Sequence, residues 1–128
     1  MSRTYSHRLS SFVAFAILAV LSSCTPSVEI DHQNIEGFTE RTEARLAIEG
    51  MMCEIACVAK VKKELLELHG VAETRVDFKI NSPVDTAYIS FDPSKVDAAD
   101  MVRKVEAIGN GLYQVLSVKV VHYAPSVE

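Results

Sequence analysis

Two cysteines four residues apart, Cys53 and Cys57, are the residues of this 128-residue chain whose type and spacing best support chemistry. They stand in Gly50-Met51-Met52-Cys53-Glu54-Ile55-Ala56-Cys57, where a strand-like alternation gives way to a helical period. A thiolate is the form of cysteine that binds soft metal, and a helix N-terminus lowers the thiol pKa through its free N–H groups and the positive end of its dipole. Cys57 should gain most from that position, with Glu54 opposing the effect and Lys60 close enough in sequence to assist it. On a regular helix, residues four apart have β-carbons about 5–6 Å apart, whereas a disulfide needs about 3.5–4.5 Å. A metal with two bonds of about 2.3 Å to sulfur spans the wider gap. The spacing therefore favours a metal over a disulfide, provided that both cysteines lie on the helix.

Two soft donors without an obvious third or fourth suit Cu(I), while Zn(II) asks for four ligands. His69 falls some three turns beyond Cys57 and reads as a residue at the helix C-terminus. His32 lies before the periodic segments and His122 near the end of the chain, so each reads as a solvated side chain. Met51 is expected in the core, where thioethers fill irregular gaps, and Met52 at the surface. No carboxylate pair, Ser/His/Asp arrangement or phosphate-cradling glycine loop can be assembled, so the chain reads as a binding module and not an enzyme.

The elements that must position the pair follow from periodicity. Ala44, Leu46 and Ile48 alternate with Arg45, Ala47 and Glu49, predicting a half-buried strand that ends at Gly50. Ile55, Val58, Val61, Leu65 and Leu68 then share one helical stripe up to His69-Gly70, where glycine can take the left-handed conformation beyond the helix. Ala72 to Phe78 and Ala87 to Phe91 alternate as two further strands around Asn81-Ser82-Pro83. A second helix is expected from the Asp97 N-cap through Met101, Val105 and Ile108, followed by a strand over Leu112 to Val121. The order βαββαβ is that of the α+β, ferredoxin-like sandwich, with two helices on one face of a four-stranded antiparallel sheet.

With Gly50, Met51, Cys53 and Cys57 in that context, the chain resembles the heavy-metal-associated domain family, whose signature G-M-x-C-x-x-C lies at the first strand-to-helix turn of the same unit. The resemblance spans Thr42 to Val121 and includes Glu67-Leu68-His69-Gly70-Val71 and Tyr88-Ile89-Ser90-Phe91-Asp92. It implies soft-metal binding by Cys53 and Cys57, with Cu(I) first and Zn(II) or Hg(II) as the other candidates, supported by Gly50 and Met51. The motif here is C-x-x-x-C, one residue longer than the family's. Gly109-Asn110-Gly111-Leu112-Tyr113 is also stretched relative to the family's Gly-Tyr, which moves Tyr113 away from its usual place beside the metal.

The third cysteine belongs to a different object. Arg3 and Arg8 precede the ten apolar residues Phe12 to Leu21, a positive n-region and an h-region too short to span a membrane, since ten helical residues cover only about 15 Å. Leu21-Ser22-Ser23-Cys24 after it is similar to the lipobox of bacterial lipoproteins. That resemblance implies a signal peptide over 1–23, lipidation of Cys24 and a protein anchored in the cell envelope, facing the periplasm or the exterior. Residues 24–42 are polar and aperiodic and read as a flexible tether, residues 43–123 as the domain and 124–128 as a tail. Of the 13 basic and 17 acidic residues, the signal holds Arg3 and Arg8 only, so the remainder carries a net charge of −6. The acidic balance argues against nucleic acid as a partner, and the membrane connection would be the lipid. The expected protein partner is a metal donor or acceptor. Two other functions fit the same residues: a thiol-disulfide module using the cysteine pair, and a metal-free interaction module using the sheet face that carries Arg45, Arg75, Tyr88 and Lys119.

Overall fold

The structure, a computed structural model, describes residues 27–126. The expected signal and Cys24 lie outside the described residues. Five strands and two helices follow one another as β1 (Glu29–Glu36), β2 (Arg41–Glu49), α1 (Ala56–Leu66), β3 (Val71–Asp77), β4 (Val84–Phe91), α2 (Ala98–Glu106) and β5 (Gln114–Ala124), with a 3-10 turn over Ile108–Asn110. The sheet order is β1-β5-β2-β4-β3. All pairings are antiparallel except that of β1 with β5.

The buried alternation of β2 is the one its sequence predicts, with Ala44, Leu46 and Ile48 inside. Opposite them on the same face stand Ala87 and Ile89 of β4 and Val118 and Val120 of β5. Val61 and Leu65 of α1 and Met101 and Val105 of α2 close that face into one core, and each fully buried aliphatic side chain contributes about 1.5–3 kcal/mol. The Asp97 cap is a full capping box: Asp97 Oδ1 accepts from the Asp100 N–H at 2.8 Å, and the Asp97 N–H donates to Asp100 Oδ2 at 3.3 Å. Gly70 takes a φ of +109° as the chain turns into β3, but α1 itself ends at Leu66, three residues before the predicted stop. Among the described residues no helix is long and apolar enough to cross a membrane.

Two expectations need correction. The sheet has five strands, not four, because Glu29–Glu36, inside the stretch read as a flexible tether, pairs in parallel with β5 from Glu29↔Ser117 to Glu36↔Ala124. The physical reason is that β5 would otherwise present an unpaired backbone edge, and that Val28 and Ile30 pack against the core. The tether within 24–42 is correspondingly shorter.

β1 also brings together two histidines that the sequence keeps 90 residues apart. His32 Nδ1 and His122 Nε2 are 3.4 Å apart, and Thr42 Oγ1 lies 3.2 Å from His122 Nδ1. The two ring planes differ by 6° and their centroids are 5.7 Å apart. A face-to-face stack at that separation would keep the nitrogens equally far apart, so the rings meet edge to edge through one N–H···N hydrogen bond. Neither histidine is a solitary solvated side chain.

Candidate metal centre

The cysteine loop begins with a backbone requirement. Gly50 has a φ of +100°, and a β-carbon there would fall against the carbonyl oxygen of Leu112. Glycine is thus needed twice over, for the left-handed conformation and for close approach of the 109–113 loop. Met51 follows, buried in the core, and Met52 points out. Met51 therefore anchors the loop from below while the next two residues are presented to solvent.

Cys53 is exposed and lies in the loop; Cys57 is half-buried in the first turn of α1. The helix does not contain both cysteines, so helical spacing places no limit on their separation, and the preference for a metal over a disulfide drawn from it does not hold. The two Sγ atoms are 2.7 Å apart, and the Cys57 N–H donates to Cys53 Sγ at 3.3 Å. The helix has Ile55 at its N-cap with no side-chain cap of its own, so the Cys53 sulfur takes one of the N–H groups that a capping side chain would satisfy.

Tyr113 completes the arrangement, contrary to what the stretched Gly109–Leu112 segment implies. Gly109, Asn110 and Gly111 all have positive φ, at 61°, 57° and 86°. This run coils the extra residues into a tight turn and returns Tyr113 to a buried position, with its phenol beside the Cys57 thiol. The Cys57 thiol is lowered to about 7, chiefly by the hydrogen bond from Cys53, then by that from Tyr113, with the Met52 and Cys53 backbone N–H groups assisting against partial burial. Tyr113 is pushed up to about 12 by burial and then by its bond to Cys57. The direction expected for Cys57 is correct, but its main cause is the neighbouring thiol. Lys60 gives no assistance, since its ammonium is held 2.9 Å from Glu64 in an i,i+4 ion pair.

Among the described residues, no group of three or more His, Cys, Asp and Glu side chains gathers at one point. His69 is exposed beyond the far end of α1, and the His32–His122 pair lies at the opposite end of the sheet. The centre is thus a two-sulfur centre with a phenol behind it. Two metal–sulfur bonds of about 2.3 Å in a line would hold the sulfurs about 4.6 Å apart. Accepting a two-coordinate ion therefore requires the sulfurs to separate, and the loop position of Cys53 leaves it free to move while Cys57 stays on the helix.

Comparison with known proteins identifies similar chains. A stretch of 71 residues is 30% identical to a copper-exporting P-type ATPase of Bacillus subtilis, spanning 56% of this chain and 8% of that protein's length. Among solved structures, the Cu(I)-loaded N-terminal domain of a potential copper-translocating P-type ATPase from Bacillus subtilis superposes with a TM-score of 0.51. It shares 27% identity over 60% of this chain and 86% of that domain. A CopZ metallochaperone aligns over 57% of this chain and 97% of its own, at 27% identity and a TM-score of 0.46. The profile of the heavy-metal-associated domain matches residues 45–111, which is more than half of the chain and includes the second half of β2, the cysteine loop, both helices and the 109–111 turn. The chain belongs to the heavy-metal-associated domain family.

Proposed function

We propose that this protein binds Cu(I) as cargo between Cys53 and Cys57, at the surface of a bacterial envelope membrane to which a lipid on Cys24 anchors it. The observation that carries the reading is the pair itself: two free thiols, one exposed on a loop and one on a helix with its pKa lowered to about 7. Soft, low-coordinate donors match Cu(I) better than Zn(II), and the relatives named for copper support the same choice. Hg(II) shares the preference for two thiolates and is the competing cargo.

Transfer follows from the asymmetry of the pair. Cys57 is held by α1 and Tyr113, so it serves as the fixed ligand. Cys53 is exposed and is the ligand that an incoming thiolate of a donor or acceptor protein replaces, with no change in metal oxidation state. Sequestration would use the same two bonds without the exchange. Nothing in this reading asks for an enzymatic step. Titrating the reduced protein with Cu(I) against a chromophoric competitor tests it: one ion per chain should bind, and both Cys53→Ser and Cys57→Ser should abolish tight binding. Unchanged affinity in both variants would refute it.

The close approach of the sulfurs favours a second reading, thiol-disulfide exchange. There the two thiols give two electrons and two protons to a partner disulfide and become linked. A reduction potential in the range of inert structural disulfides would dismiss this reading.

A further inference from the structure

The strand β1 lies outside the family match of residues 45–111, and its direction has a mechanical effect. Because β1 runs parallel to β5, its first residues lie beside the start of β5: Glu29 pairs with Ser117, while Gln114 pairs with Glu49, the residue before Gly50. Ser27 and Val28 share with Gly111, Tyr113 and Gln114 a cavity of about 450 Å³. The N-terminal end of the described chain is therefore at the cysteine end of the sheet, beside Tyr113.

Only Thr25 and Pro26 separate Cys24 from Ser27, and three Cα steps reach at most about 11 Å. Without β1 docked, the segment from Cys24 to Arg41 could extend about 60 Å. The docked strand thus both shortens the leash and selects which end of the domain it holds. That same end carries exposed apolar side chains around the thiols: Met52 and Ile55, 86% and 85% exposed, flank Cys53-Glu54, and Leu112, 56% exposed, stands on the loop packed against Gly50.

We propose that β1 holds the cysteine end of the domain against the lipid surface, with Met52, Ile55 and Leu112 seated in the headgroup region. The inference rests on the lipidation of Cys24 proposed above. With a net charge of −6 beyond residue 23, contact is made by apolar burial and not by attraction to anionic lipid. The cysteine pair then exchanges its cargo at the membrane plane.

The test uses the reduced, full-length protein in protein-free phosphatidylcholine nanodiscs carrying a paramagnetic headgroup. Mass measurement of the N-terminal peptide and co-flotation with lipid report the anchor separately from the orientation. A nine-residue strand such as β2 spans about 30 Å, so amides of residues 50–56 and 109–113 should be relaxed about tenfold or more faster than those of 37–41 and 92–95. Replacing part of the neutral lipid by phosphatidylglycerol should weaken this contrast, not strengthen it. In Ile30→Asp, which places a charge where Ile30 of β1 packs against the core, flotation should persist and the contrast should fall toward unity. An acylated, lipid-bound protein with uniform relaxation, or with the 37–41 end relaxed faster, overturns the orientation alone. An unacylated N-terminus overturns both the anchor and the orientation.

Discussion

The two ends of the sheet are built by different means. At the cysteine end, the backbone does the work: Gly50 in a left-handed conformation and a run of three positive-φ residues from Gly109 to Gly111, which brings Tyr113 beside the Cys57 thiol. At the other end, side chains pair with one another. His32, His122 and Thr42 form a hydrogen-bonded row across three strands, and Asp92 caps its turn by accepting from the N–H and hydroxyl of Ser94 at 3.0 and 2.7 Å. Exposed polar pairs of the second kind contribute little individually and tolerate loss. Strained backbone around reactive groups persists only where the surroundings determine it. The difference indicates where a substitution alters chemistry and where it alters stability alone.

The largest effect is expected at Gly50. Gly50→Ala places a β-carbon against the Leu112 carbonyl in a conformation that L-residues avoid, and it should destabilise the fold by about 1–3 kcal/mol or more. Urea denaturation reads that loss, and weakened Cu(I) binding should accompany it because the same contact joins the two loops. Gly111→Ala separates the two causes: its β-carbon would meet nothing within 4 Å, so only the conformational part, about 1 kcal/mol, should remain.

Tyr113→Phe comes next. It keeps the ring and removes the hydroxyl, so the pKa of the Cys57 thiol should rise, read from thiolate absorbance against pH. Cu(I) affinity should fall by about tenfold, as for loss of an outer partner of a metal ligand. The pH dependence of the reduced, metal-free protein has a definite sign. Cys57 is lowered from 9.0 to about 7 on folding, so its contribution to stability is complete above pH 9 and is lost as the pH falls through 7. Urea midpoints at pH 6 and 9 should therefore differ in favour of pH 9 by more in the native protein than in Cys57→Ser.

The smallest effect belongs to the far end. His32→Ala removes the edge-to-edge hydrogen bond to His122 and should cost about 1 kcal/mol or less, with Cu(I) affinity unchanged. A tenfold loss of affinity in that variant would mean that the two ends are coupled and the division drawn above is wrong.

The same division explains what the sequence discloses. β2 to β5 and both helices are legible because one face of each is buried: Ala44, Leu46 and Ile48, or Met101 and Val105, keep the period of their element. β1 is not, because EIDHQNIE is an edge strand with most positions exposed, so its hydrophobic signal is reduced to Ile30 and Ile35, and its partner lies some 88 residues away. The pairing of His32 with His122 is hidden for the same reason. At the site, the glycine and the cysteines declare themselves by type. The return of Tyr113 does not, since it depends on three successive left-handed residues that read only as a lengthened loop. The exclusion of Cys53 from α1 could have been suspected from the absence of a capping side chain at Ile55.

The central claim is that two sulfurs, those of Cys53 and Cys57, hold Cu(I). X-ray absorption at the copper edge of the reduced, Cu(I)-loaded protein addresses it most directly. A two-coordinate ion with sulfur scatterers alone is expected, with loss of that signature in Cys53→Ser. Nitrogen ligands, or a spectrum unchanged by that substitution, would contradict it.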